Sequence, residues 1–284
     1  MHEFETPRPV RVQVRIAAGE VTMTSADVTT TTVDIQPYPA GDDRAVEAIA
    51  RTTVEQRGDT IVVYSPERGG FMRRTPRLHV TIIAPLRSSL ENRVGSADLH
   101  TYGPLSDIRH RSGSGNTTIE HATGDITIDC ASGDTRIERV DGRLRHNSAS
   151  GELLVGTANG LLTANSASGN IRIDSLRGPA KVINASGDVT VERAYEGDVY
   201  LQALSGDITA GVPAGVRFYI DANALSGRAE SDLPVSDHAD GGGRPPLTLR
   251  LRAFSGNIRV VRAPGEKTFA ESTAGSPTEV RLEK

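Results

Sequence analysis

The chain has 284 residues, a formal net charge of −4 and only 4% aromatic residues. A charge so near balance gives no electrostatic basis for a nucleic-acid surface and sets little repulsion against self-association. The single cysteine, Cys130, excludes an intrachain disulfide, and no stretch approaches the roughly 18 consecutive apolar residues of a membrane-crossing helix.

The opening MHEFETPRPVRVQVRIAAGE has neither an early basic cluster nor an apolar core of the kind a secretory leader carries. A cytoplasmic location is therefore expected, with export by another route as the alternative. Val10, Val12, Val14 and Ile16 alternate with polar residues and predict a strand. GEVTMTSADVTTTTVDIQ reads as a degenerate repeat with two further strands. DDRAVEAIARTTVEQ places Val46, Ile49 and Val54 near helical spacing behind Asp42 or Asp43 as N-cap, so a short helix is expected there. DTIVVYSP and RLHVTIIAP return to strand. Residues 1–90 are expected to start and cap a larger stack, because an open end would expose apolar core and unpaired strand edges.

From residue 91 a repeat governs the chain. Serine-glycine steps place glycine at 115, 133, 151, 169 and 187, always 18 apart, and a weaker series falls midway at 124, 142, 160 and 178. The unit is nine residues, and two units make one repeat. The second residue after each glycine is mostly aliphatic, as at Ile126, Leu144, Leu153, Leu162, Ile171 and Val189. The fourth follows suit at Ile119, Ile128, Ile137, Val155 and Ile173, with His146 as an inward-facing exception. This is the two-residue period of a half-buried strand. The seventh position is small and apolar (Ala122, Ala131, Val140, Ala149, Ala158, Ala167) and is expected to point inside at the corner.

A strand and turn of nine residues cannot bury an apolar face alone, but stacked turns can. The fold expected is all-β: a parallel β-solenoid with nine-residue half-coils, spanning 91–262, with an irregular and mostly β N-terminal cap. No crossover helix fits between strands so close in sequence, which excludes an αβ layout. A meander of antiparallel hairpins is the structural rival. Residues 232–246 (DLPVSDHADGGGRPP) read as an insertion loop, LTLRLRAFSGNIRVVRA as the coil that closes the C-terminal end, and 263–284 as a disordered tail.

No nucleophile elbow, phosphate loop, HExxH or CxxC occurs in the sequence, so no enzyme activity and no cofactor is expected. Cys130 falls in a column with Ser148, Ser166 and Asn184 and reads as a serine substitute at a polar corner, without a basic neighbour to activate it. Charged residues form two outward columns. Asp134, Glu152 and Asp188 stand just after the glycine; Glu138, Asp174 and Glu192 stand four residues further on, with Arg136 and Arg172 between. These eight residues are the candidate interaction face, and a solvated, partly neutralised surface is the plainer account of them. Calcium is disfavoured, because calcium-binding nonapeptide rolls need GGxGxD-type turns and here the strand comes directly after SGD.

The runs SGSGNTTIEHATGDITIDCASGDTRIERVDG and SGNIRIDSLRGPAKVINASGDVTVERA, with the later LRAFSGNIRVVRA, resemble a bacterial β-strand-repeat family labelled "putative adhesin" and also called the toastrack domain. The resemblance implies a β-solenoid linked to envelope-stress systems as an assembly or sensing surface. It brings no catalytic residues. The function expected is a non-enzymatic protein-interaction scaffold with an unidentified protein partner and open solenoid edges at which copies self-associate. A surface adhesin binding glycan or protein is one alternative. A carbohydrate-active β-helix enzyme with carboxylates near the Asp232–Pro246 loop is the other.

Overall fold

A computed structural model describes residues 1–66, 75–233 and 246–263. The chain begins with β1 (His2–Glu5), β2 (Arg11–Ala26), β3 (Thr30–Tyr38), α1 (Asp43–Ala50), β4 (Thr53–Arg57), β5 (Thr60–Tyr64), β6 (Arg77–Pro85) and β7 (Ser89–Leu105). The repeats come next as β8 (Ile108–Ser114), β9 (Thr117–Ala122), β10 (Ile126–Cys130), β11 (Thr135–Val140), β12 (Leu144–Ser150), β13 (Leu153–Ala158), β14 (Leu162–Ser168), β15 (Ile171–Arg177), β16 (Ala180–Ser186) and β17 (Val189–Val191). The C-terminal part holds β18 (Ala194–Ser205), β19 (Ile208–Val212), β20 (Phe218–Ser226), β21 (Ala229–Ser231), β22 (Leu247–Ser255) and β23 (Ile258–Arg262).

Even- and odd-numbered repeat strands build two facing layers. In the first, β8, β10, β12, β14, β16 and β18 pair in parallel, residue i with i+18 until the spacing changes at β18. In the second, β9, β11, β13, β15, β17 and β19 do the same. The long strands β2 and β7 cross from one layer to the other. Thus β2 pairs with β5 at one end and β6 at the other, and with β7 along most of its length. The solenoid is therefore parallel throughout its repeats, and the hairpin rival fails. Among the described residues antiparallel pairing occurs only at the N-terminal end, where β3 joins β6, β1 joins β3 and β4 joins β5.

The aliphatic columns fill the space between the layers. Ile126, Ile128, Leu144, Leu162 and Leu201 from the first layer meet Ile119, Ile137, Leu153, Ile171 and Ile173 from the second, all essentially inaccessible to solvent. Each fully buried aliphatic side chain contributes about 1.5–3 kcal/mol relative to exposure, so the stack, rather than any one turn, supplies the stability. The corner glycine is dictated by crowding as well as conformation. Gly151 has φ +116°, and a Cβ there would lie 2.1 Å from the Gly133 carbonyl oxygen of the rung below.

Four expectations change in detail. First, the seventh position points inward only on the weak-glycine half. Ala122, Val140 and Ala158 are buried, whereas Ala131, Ala149 and Ala167 are exposed. On the serine-glycine half the chain turns early. Ser148 and Ser166 fold back and donate to the carbonyls of Ser150 and Ser168 at 2.9 and 3.2 Å, which rotates the alanine outward. Second, the helix ends at Ala50 and Val54 belongs to β4. Its N-cap is Asp42, whose side chain accepts from the Arg44 N–H. The helix face that packs holds Ala45, Ala48 and Ile49, while Val46 is exposed. Third, the strand expected from Val10 and the first of the two expected after Gly19 form the single strand β2, turning at Gly19 with φ +131°.

The fourth change concerns chain order. LTLRLRAFSGNIRVVRA does not close the C-terminal end. β22 lies between β18 and β20, and β23 lies between β19 and β21. The terminal rung is residues 218–231, held to the interposed rung by backbone pairing and by the Arg252 guanidinium, which donates to both Asp221 carboxylate oxygens at 3.0 and 2.6 Å. That pairing holds the Asp221 carboxyl below its usual range. The same interleaving occurs at the other end, where β2 lies between the β5/β6 rung and β7. Residues 234–245 and 264–284, where most of the insertion loop and the tail were expected, fall outside the described residues.

Candidate functional site

The eight charged residues expected to form an interaction face all lie outside the core on the second layer or at the corner leading into it. Asp134 and Asp188 serve the backbone. Asp134 Oδ1 accepts from the Glu152 N–H at 2.9 Å, and Asp188 Oδ1 from the Asp207 N–H at 2.8 Å. The column extends through Asn116, Asn170 and Asp207, whose side-chain oxygens accept in turn from Asp134, Asp188 and Asn257. Each acidic or amide side chain thus satisfies a corner N–H one rung away, a structural role for two of the eight. Glu152 accepts instead from Asn170 Nδ2 at 3.4 Å. On the flat of the layer, Arg172 bridges Asp174 at 3.0 Å and Glu192 at 3.2 Å. Glu138 is exposed, and Arg136 is half-buried in the adjoining column.

The inward polar residues do not form a reactive centre. His146 is buried, its Nε2 sharing a hydrogen bond with Thr135 Oγ1 at 3.3 Å and lying 4.0 Å from Cys130 Sγ. Burial holds the imidazole down at about 4 and pushes the Cys130 thiol up. Both partners are therefore neutral near pH 7, and no thiolate–imidazolium pair forms. His110, also buried, accepts at Nδ1 from Asn92 Nδ2 at 3.1 Å, and desolvation lowers it to about 4 as well. Among the described residues no group of three or more His, Cys, Asp and Glu side chains is placed to hold a metal ion. Among the same residues no helix is long and apolar enough to cross a membrane.

Two surfaces were not visible from the repeat alone. One is an apolar row at the serine-glycine corner. Leu204, Phe254 and Leu225 occupy equivalent slots on neighbouring rungs, between the aligned alanines (203, 253, 224) and the aligned serines (205, 255, 226). They are 42%, 50% and 75% exposed, and the exposed Ala131, Ala149 and Ala167 continue the row over the repeats. The other is a basic groove on the outer face of the first layer, near the N-terminal end. Arg15, Arg93 and Arg111 share one column on three successive rungs, and Arg93 lines all three of the adjoining clefts there, of about 500, 260 and 410 Å³. The signal was present in RVQVRI, LENRV and IRHRS, but these strands precede the glycine alignment that would have shown the arginines in register.

The family model described as Toastrack DUF4097 matches residues 20–260, extending the resemblance back through the interleaved N-terminal rungs. Among solved structures, the chain is similar to a "putative adhesin" of Bacteroides fragilis NCTC 9343, at 14% identity and a TM-score of 0.44, covering 91% of this chain and 95% of that one. It is also similar to a "putative lipid binding protein" of Parabacteroides distasonis ATCC 8503, at 13% identity and TM-score 0.43, covering 92% and 96%. A "putative adhesin" of Parabacteroides merdae ATCC 43184 aligns at 9% identity and TM-score 0.41, covering 92% and 95%. No curated protein matches. With the family model spanning nearly all of the repeats and the parallel stack in place, the chain belongs to the Toastrack family.

Proposed function

We propose that this protein is a non-enzymatic protein-interaction scaffold whose partner docks along the serine-glycine corner, in the cytoplasm, within bacterial envelope-stress signalling. The observation that carries the docking site is the row of Leu204, Phe254 and Leu225. Large apolar side chains exposed side by side on a rigid stack mark interaction surfaces far more than scattered single ones do. They cost nothing to the core, because the inward slots are already filled by Leu201 and Leu251 on the rungs of Leu204 and Phe254, and by the partly buried Ala222 and Ala224 on the rung of Leu225. Parallel stacking keeps the row straight, so a partner meets a preformed surface and little ordering is needed on this side.

The experiment is site-specific crosslinking from position 254 in the native host, with the Leu225→Asp variant alongside. The expected result is one dominant crosslinked protein that disappears in the variant while its melting temperature is unchanged. An unchanged crosslink pattern in the variant would overturn the docking site. Recovery of the protein at the cell surface by fractionation would favour the adhesin alternative.

A further inference from the structure

The two ends of the stack are finished differently. At the N-terminal end α1 lays Ala45, Ala48 and Ile49 against the core. The outermost strands there, HEFE in β1 and TVEQR in β4, carry charged residues, a guard against the addition of further strands. At the C-terminal end β20 pairs only with β22 among the described residues, so one side of Phe218–Ser226 is open. Its inward side chains Phe218, Ile220, Ala222 and Ala224 are only partly buried, whereas Leu247, Leu249, Leu251 and Ala253 in the same slots one rung below are buried. The open side also bears backbone groups. Gly197, opposite Leu247, donates its N–H to the Pro246 carbonyl at 2.8 Å, so in β22 the even-numbered residues face β18 and the odd-numbered ones face β20. The odd-numbered residues of β20 answer them, as the Asp221 carbonyl does in accepting from Arg252 at 3.0 Å. Alternation then turns the N–H and C=O groups of Phe218, Ile220, Ala222 and Ala224 to the open side. The edge is unguarded: FYIDANALS has no lysine, arginine or proline, and its one charge, Asp221, is held by Arg252.

We infer that this edge is a dimer interface, at which a second copy of the chain adds its own β20 antiparallel about a two-fold axis at Ala222. The strand's own order of sizes selects this occupant. Its inward residues run from bulky to small, so antiparallel self-pairing sets Phe218 against the partner's Ser226, Ile220 against the partner's Ala224, and Ala222 against its own copy. On the outer face Tyr219, 56% exposed, meets the partner's Leu225, 75% exposed, and Asp221 meets the partner's Asn223. Other registers are worse. An axis at Asp221 sets that carboxylate against its own copy. An axis at Asn223 leaves Phe218 and Tyr219 beyond the end of the partner strand. A slip of one residue in the pairing turns the partner's inward face to solvent. The pairing at Ala222 forms about six new backbone hydrogen bonds and joins the two cores end to end. Because each copy's β20 covers the other's, the two-fold closes and the guarded ends point outward. A net charge of −4 sets little repulsion against it. This interface shares only Leu225 with the apolar corner row and does not rest on the docking of another protein there.

The test is sedimentation of the full chain over a range of concentrations, together with residue-resolved amide exchange. A dimer that dissociates on dilution is expected. Ala222→Pro gives up no hydrogen bond of the single copy, since that N–H faces the open side, but it blocks strand addition. It should sediment as a monomer with an unchanged far-UV circular dichroism spectrum. The amides of Ile220 and Ala224 should exchange slowly in the parent and fast in Ala222→Pro, while those of Asp221 and Asn223, turned to β22, stay slow in both. Asn223→Asp lies beside Arg252 in its own copy but opposite the partner's Asp221, and should weaken the dimer about fivefold through two like-charge pairs. That variant also decides the matter where Ala222→Pro fails to fold. A monomeric parent would overturn the proposal, and slow Ile220 and Ala224 amides in that monomer would mean that the chain's own residues occupy the edge. Polymers larger than a dimer, or an unchanged dissociation constant in Asn223→Asp, would overturn the two-fold pairing. The crosslink expected from position 254 should persist in Ala222→Pro, so the dimer and the docking corner fail separately.

Discussion

Replacing Gly151 by alanine tests why the serine-glycine corner repeats at all. Two costs meet at that position. Its φ of +116° lies where a Cβ residue is strained, at about 1–3 kcal/mol. The new Cβ would also stand 2.1 Å from the Gly133 carbonyl oxygen, and forcing that backbone apart costs a further ~1–3 kcal/mol. The sum, about 2–6 kcal/mol, corresponds to a fall on the order of 10 °C in Tm for a chain of this size. Two other glycines separate the contributions. Gly160 carries the crowding without the positive φ, a Cβ there lying 2.2 Å from the Gly142 oxygen, and Gly215 carries a φ of +82° with nothing within 4 Å. Scanning calorimetry of the three alanine variants should rank Gly151→Ala well below both others. A Gly151→Ala melt equal to that of Gly215→Ala would show that rung-to-rung contact at the corner contributes nothing, and the crowding argument would fail.

Ile173→Asp places a carboxylate in a fully inaccessible slot and should lower stability by several kcal/mol. By contrast Arg172→Ala, which loses two surface ion pairs, should stay within about 1 kcal/mol; denaturant midpoints compare them. Acid should destabilise the protein through its buried histidines. An unfolded imidazole protonates near 6.5, whereas His146 and His110 in the core resist protonation down to about 4. The unfolded state therefore binds more protons in that interval, and stability is lost as pH falls from about 6.5 to about 4, by up to about 3 kcal/mol for each group. His146→Leu should flatten this limb of a stability–pH curve, and an unaltered limb would contradict the assignment. At the corner ladder, Asp134→Ala should cost about 1 kcal/mol by removing the acceptor of the Glu152 N–H. Asp134→Asn keeps that acceptor and should melt like the parent.

The repeat was legible because its cause is geometric. Every rung needs a glycine where its neighbour's carbonyl approaches, and inward slots that only aliphatic side chains fill, so Gly133, Gly151, Ile137 and Ile173 announce the stack by position. The direction of Ala131, Ala149 and Ala167 was not legible, because a serine hydroxyl turning the chain one residue early leaves the composition of the corner unchanged. Rung order escaped for a related reason. ALSG at 203–206, ALSG at 224–227 and AFSG at 253–256 fit one register in any sequence of stacking. Only the long step of 29 residues between Gly227 and Gly256 hinted that the chain doubles back. The charged columns of the second layer were found as a surface, but their hydrogen bonds to corner amides were not, since outward charge looks the same whether or not it caps a backbone N–H. The arginine groove stayed hidden because its strands lack the glycine phrase that aligned the rest.

The interposed position of β22 and β23 bears on how this molecule is made. During synthesis, residues 218–231 leave the ribosome before the segment they finally rest upon. In the finished stack Phe218–Ser226 and Gly197–Ser205 are matched to the same partner strand in the same phase, so the emerging chain offers β18 a ready substitute for β22. A released chain truncated after residue 231 is expected to close its stack one level short and to resist protease through residue 226. A chain that has made this early pairing reaches the final order only when the later segment displaces β20 from β18, a strand exchange that the shared register allows.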